Sequence, residues 1–265
     1  MSDIHGCFDE MMKMLQKIEF SEEDSLILAG DYVDRGPKTY ELLSWIENCP
    51  ENVTVLKGNH DHEFPFHIEL LERVVEQAGL DGDTVEGTIM AYNLLIRLAA
   101  DRNAGVSYFD YYGTIGGMLN AHDVTVTQLS KWSRMLQNLP YVEKRMINGE
   151  QFIIAHAGYT EETDFSKMES DYESPTDFNL FAREDGIKFG GAPHSVVIFG
   201  HTPTVIEGEF PYNDGNVFCF YDEEKDCTFY DIDCGCVFGL AHDNAKLACI
   251  RLEDEAIFYV KRTEI

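Results

Sequence analysis

The sequence predicts an α/β fold with a helical insertion and a strand-rich second half. Three observations carry this expectation. Short apolar runs alternate with helical periodicity near the start, a long helical stretch separates them from a second set of apolar runs, and glycine-flanked polar motifs follow the runs.

In chain order, Ser2-Asp3-Ile4-His5-Gly6 has the character of a loop delivered by a strand, yet almost no residues precede it. Phe8, Met11, Met12, Leu15 and Ile18 recur at helical spacing and predict an amphipathic helix over about residues 8–19. Ser25-Leu26-Ile27-Leu28-Ala29 reads as a buried strand that delivers Gly30-Asp31-Tyr32-Val33-Asp34-Arg35-Gly36 at its C-terminal end, where open α/β sheets bind ligands. Pro37 suits the first turn of a second helix carrying Leu42, Leu43, Trp45 and Ile46. Val53-Thr54-Val55-Leu56 is a further strand, ending in Gly58-Asn59-His60-Asp61.

Residues 61–139 read as mainly helical, with apolar periodicity in Ile68-Leu70-Leu71-Val74-Val75 and Ala91-Leu94-Leu95-Leu98 and breaks at Asp81-Gly82-Asp83 and Gly113 to Gly117. This insertion either caps a site or stands as a plain helical subdomain. Tyr141 to Ile147 and Gln151 to Ala155 predict a hairpin turning at Asn148-Gly149, and the second strand delivers His156-Ala157-Gly158. After an acidic, turn-rich stretch at 160–180, Ser195 to Phe199 ends in Gly200-His201-Thr202-Pro203. Runs near 217–220, 228–232, 246–251 and 256–260 complete the strands, antiparallel by their short links. With no internal repeat or low-complexity linker, a single domain over 1–265 is expected.

Composition narrows the function. The 48 acidic against 20 basic residues, net charge -28, oppose nucleic acid and anionic membrane as partners, and a phosphate substrate would need local positive charge. No apolar run reaches spanning length and the first residues lack signal-peptide character, so a cytoplasmic protein is expected. Seven cysteines without a C-x-x-C pair read as reduced thiols, with Cys234-Gly-Cys236 packed near a strand end.

Asp31, Asp34 and Arg35 alone fit a solvated acidic turn closed by an Asp–Arg pair, and a lone histidine after a strand is ordinarily a core residue. Five such segments together are different: Asp3 with His5, Asp31 with Asp34, Asn59 with His60, His156, and His201 bring imidazoles, carboxylates and an amide to one sheet edge. This mixture suits Mn²⁺, Fe or Zn²⁺ better than Ca²⁺ or Mg²⁺. Its donors exceed the needs of one ion, and a shared carboxylate can bridge two ions about 3.5–4 Å apart; Asp31, central in sequence, is the natural bridge.

In order, Asp3-x-His5-Gly6, Gly30-Asp31-x-x-Asp34-Arg35-Gly36, Gly58-Asn59-His60-Asp61, His156-Ala157-Gly158 and Gly200-His201-Thr202 resemble the signature of the phosphoprotein phosphatase family within the calcineurin-like metallophosphoesterases. Leu180-Phe181-Ala182-Arg183 and Asp231-x-Asp233-x-Gly235 resemble its bacterial and phage-like branch, and Pro203, standing where nuclease-like relatives often place a second histidine, favours the same branch. The resemblance implies a four-layer fold in which a central mixed β-sandwich is flanked by helices. It implies two divalent ions, manganese first with iron or zinc as alternatives: Asp3, His5 and Asp31 hold one, and Asp31, Asn59, His156 and His201 the other. His60 becomes the general acid, Asp34 its orienting partner, and Arg35 and Arg183 the phosphate clamp. A hydroxide bridging the ions would attack phosphorus in line, without a phosphoenzyme. The implied activity is a serine/threonine protein phosphatase, with a symmetrical diadenosine tetraphosphate hydrolase as the alternative and a non-catalytic phospho-binding protein as a distant third. Two departures stand out: Asp61 occupies a position where glutamate is usual, and the first strand is nearly absent.

Overall fold

The computed structural model describes residues 1–100, 105–162, 164–166, 168 and 172–262. Parts of the helical stretch (101–104) and of the acidic stretch (163, 167, 169–171) therefore lie outside the described residues.

Apolar spacing forms α1 (Phe8–Lys17), which buries Met11, Met14 and Leu15, and the run after it forms β1 (Leu26–Leu28). α2 (Thr39–Glu47) starts two residues beyond Pro37, with Lys38 at its N-cap in a non-helical conformation (φ -120°, ψ 45°) and its amide bonded to the Gly6 carbonyl at 3.0 Å. β2 (Val53–Val55) pairs in parallel with β1, Leu26 opposite Val53. The first residues lie alongside β1. The Met1 nitrogen donates to the Ile27 carbonyl at 3.1 Å and the Met1 carbonyl accepts the Ala29 amide at 2.8 Å, which is the bonding of a parallel neighbour.

Among the described residues the expected insertion forms four helices, α3 (Asn59–Ala78), α4 (Val85–Ala99), α5 (Thr114–Ala121) and α6 (Val126–Gln137). Thr84 and Thr125 cap α4 and α6 through their hydroxyls, and Gly79 ends α3 in the left-handed conformation. α3 begins at Asn59 rather than 61, so Asn59, His60 and Asp61 stand in its first turn.

β3 (Val142–Ile147) and β4 (Glu150–Ala155) form the expected hairpin, with Asn148 and Gly149 both at positive φ, 54° and 87°. α7 (Pro175–Phe181), α8 (Glu184–Lys188), β5 (Ser195–Phe199), β6 (Phe218–Asp222) and β7 (Cys227–Asp231) follow. The five-stranded sheet runs β3-β4-β5-β7-β6, its inner pairs parallel and its outer pairs antiparallel. β8 (Lys246–Arg251) and β9 (Ala256–Lys261) make a separate antiparallel pair. The antiparallel expectation thus holds for β6–β7 and β8–β9, while β7 also runs parallel to β5.

Side-chain alternation sets the layers. Phe152, Ile154, Val196 and Ile198 face one core with Ala29, Leu56, Ala248 and Ile250; Ile153, Ala155, Val197 and Phe199 face another with Ile187 of α8. Leu26 and Leu28 turn from β1 to the helices, joining Met11, Leu42, Phe64 and Trp132. Four layers result: helices, the β1–β2 and β8–β9 pairs, the five-stranded sheet, and α8. The motifs after β1, β2, β4 and β5 emerge at one edge of this sandwich. Among the described residues no helix is long and apolar enough to cross a membrane.

Candidate metal centre

Asp3, His5, Asp31, Asp34, Arg35 and His201 all have positive φ, between 43° and 73°. Non-glycine residues adopt this conformation at a cost that the surroundings must offset, and such strain gathers at functional sites. The loop after β1 is held from within by Tyr32, whose hydroxyl accepts the Gly30 amide at 3.0 Å and lies 2.7 Å from the Leu56 carbonyl just beyond β2. It is held from outside by Asp61. That fully buried carboxylate accepts the amides of Asp31 (2.8 Å), Tyr32 (2.9 Å) and Gly58 (2.9 Å), while burial, then the charge of Asp31, push its pKa up to about 6.

The position thus fixed places Asp31 between two sets of imidazoles. Its Oδ2 lies 3.3 Å from His5 Nε2 and 4.0 Å from His60 Nε2, and its Oδ1 lies 3.5 Å from His156 Nε2. Oδ1 also accepts the His60 amide at 3.0 Å. Burial opposes ionisation of Asp31, but the charges of His156 and His60 and the His5 ring outweigh it and hold the carboxyl well below its usual range. Gly58 permits this approach: a Cβ there would sit 2.1 Å from Asp31 Oδ1.

His156 Nε2, His201 Nδ1 and Asn59 Oδ1 converge on the same side, with separations of 2.9, 2.9 and 3.2 Å. The far nitrogens explain which atoms face inward. His5 Nδ1 is 2.7 Å from the Val33 carbonyl and His156 Nδ1 is 3.0 Å from the Ala29 carbonyl; a carbonyl only accepts, so each Nδ1 carries a proton and each ring is turned with its Nε2 to the centre. Burial, then the neighbouring His156, hold His201 well below the ordinary histidine pKa, which keeps it a neutral donor. This nitrogen–oxygen donor set, gathered at hydrogen-bond separations, fits a borderline divalent ion. Among the described residues two groups have donor atoms within 4.8 Å of one another, His5-Asp31-His60 and Asp31-His156-His201, and Asp31 belongs to both.

The other expected residues surround this cluster. Asp34 Oδ2 is 2.7 Å from His60 Nδ1, and Asp34 Oδ1 accepts the Thr114 hydroxyl from the start of α5. Arg35 Nη1 lies 3.2 Å from His5 Nε2. Asp3 is buried beside the cluster, its Oδ2 accepting the His201 amide at 3.0 Å, and it is outside both donor groups. Arg183 stands furthest out, with a side chain 55% exposed and paired with Glu209 at 3.2 Å, although its charge still acts on His201. Asp231 and Asp233 form a buried turn in which Asp231 Oδ1 accepts the Asp233 amide and Asp233 Oδ1 the Gly235 amide, both at 2.9 Å.

Three participants were not read from sequence as such. Asp61 shows in sequence only as a shortened acid with a contact behind the ligands, Thr114 lies in a glycine-rich stretch that reads as a helix break, and Tyr112, whose ring centroid is 5.1 Å from that of His60, carries no local signal. A cavity of about 360 Å³ lies away from this chemistry, among Phe20, Ile27, Ile147, Ile198, Ile250 and Phe258, and holds none of these side chains.

Comparison with known proteins places these observations. The calcineurin-like phosphoesterase family matches residues 1–242. Over 60 residues the chain is 47% identical to the symmetrical bis(5'-nucleosyl)-tetraphosphatases of Buchnera aphidicola and Vibrio parahaemolyticus, covering 22% of this chain and 22% of each relative. The chain thus aligns with about a fifth of the length of these curated relatives. A Saccharomyces cerevisiae protein serine/threonine phosphatase with similarity to human phosphatase PP5 shares the fold at a TM-score of 0.53 and 12% identity, covering 100% of this chain and 79% of that one.

Proposed function

Because the chain belongs to the calcineurin-like phosphoesterase family, we propose that it is a metal-dependent phosphoester hydrolase that transfers the phosphoryl group directly to water. The observation that carries this reading is Asp31, whose two oxygens serve two separate groups of inward-facing donors. Asp3, His5 and Asp31 would hold one divalent ion and Asp31, Asn59, His156 and His201 the other, with manganese favoured over iron or zinc. When bound, such ions lower the pKa of water and neutralise phosphoryl oxygens.

The chain's own residues supply the rest. Burial works against a charged His60, but the charge of Asp31 and the hydrogen bond to Asp34 outweigh it and raise its pKa above the ordinary histidine value. His60 thereby keeps a proton at Nε2 for the leaving oxygen while Asp34 fixes the ring through Nδ1. Arg35 offers a planar fork to the phosphoryl oxygens, and Arg183 offers a second from the rim. These cations give a phosphate the local attraction that the net charge of -28 withholds.

A phosphorylated protein is the first reading of the substrate, supported by the order of the five motifs. A dinucleotide polyphosphate is the second, supported by the names of the relatives matched over 60 residues. The retained ligand and arginine residues weigh against a purely phospho-binding role. We read the chain as one domain, since the site draws on residues 3–60 and 156–201 alike, and as cytoplasmic, since all seven cysteines are free thiols.

Elemental analysis paired with turnover of p-nitrophenyl phosphate tests the proposal. Wild type should bind two divalent ions per chain, Asp31→Asn should lose metal, and His60→Asn should keep metal yet lose turnover by about 10²-fold. A wild-type protein that binds no divalent ion, or an Asp31→Asn variant with unchanged stoichiometry, overturns it. Relative kcat/KM on a phosphothreonine peptide and on diadenosine tetraphosphate separates the two substrate readings.

A further inference from the structure

Beside the His60 ring stands an aromatic surface that the hydrolase reading does not use. Tyr112 lies 5.1 Å from the His60 ring, centroid to centroid, and the Arg35 guanidinium lies 5.7 Å from the Tyr112 centroid. Tyr111 meets Tyr112 edge to face at 5.1 Å and 87°. A tyrosine packed for stability would be covered, yet Tyr112 is 46% exposed and Tyr111 78%.

The segment that presents Tyr112 is pinned. The Asp110 carboxylate accepts the amides of Ile115 (2.8 Å) and Gly116 (2.9 Å) and the Tyr92 hydroxyl (2.8 Å), the Asp110 carbonyl accepts the Gly113 amide at 2.8 Å, and the Thr114 hydroxyl is bound by Asp34. Tyr112 is therefore fixed beside both the proton donor and one arm of the phosphate clamp, with ring surface open to solvent. Exposed aromatic area held this rigidly stacks against planar groups at little entropic cost.

We infer that Tyr112 is a specificity-determining stacking platform, and that the site favours phosphomonoesters whose leaving oxygen is borne directly on an aromatic ring, phosphotyrosine being the peptide form. The distances decide between planar groups. A leaving oxygen in reach of His60 Nε2 brings a directly attached ring against Tyr112, whereas a nucleotide base stands several bonds further away across sugar and phosphate. Arg35, which neighbours Tyr112 and clamps phosphate in the hydrolase reading, matches a substrate that is aromatic at one end and dianionic at the other. The inference rests on the hydrolase reading.

The test uses two peptides of one sequence, one with phosphotyrosine and one with phosphothreonine, and the manganese-loaded full chain as wild type, Tyr112→Leu and Tyr112→Phe. The ratio of kcat/KM between the peptides cancels effects common to both substrates. Tyr112→Leu should lower the phosphotyrosine to phosphothreonine ratio about fivefold, mainly through KM, and Tyr112→Phe, which keeps the ring, should preserve it. An unchanged ratio in Tyr112→Leu, with metal content and circular dichroism as in wild type, overturns the platform while leaving the hydrolase reading intact. An equal fall in Tyr112→Phe also overturns it. A manganese-loaded wild type that hydrolyses neither peptide nor p-nitrophenyl phosphate defeats the hydrolase reading first, and the platform with it.

Discussion

Asp61 accepts the main-chain amide of Asp31 at 2.8 Å, so the position of the central carboxylate is set by a second carboxylate that bonds its backbone. Asp61→Asn replaces one of the two accepting oxygens by an amide donor facing backbone N–H groups. It should cost roughly 1–3 kcal/mol in stability and lower metal retention, read by urea unfolding and elemental analysis. A variant with unchanged midpoint and full metal content would remove Asp61 from this role.

Asp34 raises the His60 pKa, and burial opposes it. Asp34→Asn should therefore lower that pKa. A general acid works only while protonated, so activity lost on raising pH should be lost at lower pH in the variant: the alkaline limb of the kcat profile moves toward acid. Turnover at neutral pH should fall about 10²-fold. An unmoved limb would contradict the pairing.

Gly58 has no room for a methyl group, since a Cβ would stand 2.1 Å from Asp31 Oδ1 and 2.3 Å from its amide nitrogen. Gly58→Ala should destabilise by about 1–3 kcal/mol, as overpacked sites do, and displace Asp31 from its donors. Thermal unfolding and metal content read both effects.

Glu47 joins α2 to α6, accepting from Trp132 Nε1 at 2.7 Å and Gln128 Nε2 at 3.1 Å and pairing with Lys131. Burial would raise its pKa, but these hydrogen bonds outweigh it and hold the group below its ordinary 4.5. A carboxyl lowered on folding stabilises above its unfolded pKa, and that stability is lost as pH falls through the folded value. Glu47→Gln should cost about 1 kcal/mol at pH 7. The gap from wild type in urea midpoints should narrow once pH drops below 4.5; a gap that widened on acidification would reverse the sign.

Much of this was legible before any coordinates. β1 and β4 are short apolar runs ending in polar motifs, and a strand's direction fixes the end at which such motifs emerge, so Asp31 and His156 could be brought to one edge by pattern alone. The Asn148-Gly149 turn was legible because few residue pairs tolerate two left-handed conformations. Tyr112 was not: 52 positions separate it from His60, and only the packing of α3 against its neighbours brings them together. Arg183 was legible as a residue type, but its partner Glu209 belongs to a distant loop, and pairing across such a loop leaves no trace in local spacing. The reach of Asp61 depends on how closely Gly30 and Gly58 let two loops approach, which is a property of the backbone in space.

Asp34 has one oxygen on His60 and the other on Thr114. The loop after β1 contributes Asp34, while the helical segment contributes both the proton donor at the start of α3 and the hydroxyl that steadies Asp34, so the two parts have been matched to one another. Replacing the helices wholesale with those of another hydrolase would transplant a fold and break a circuit. A working chimera of this protein must carry a hydroxyl at position 114 across the junction.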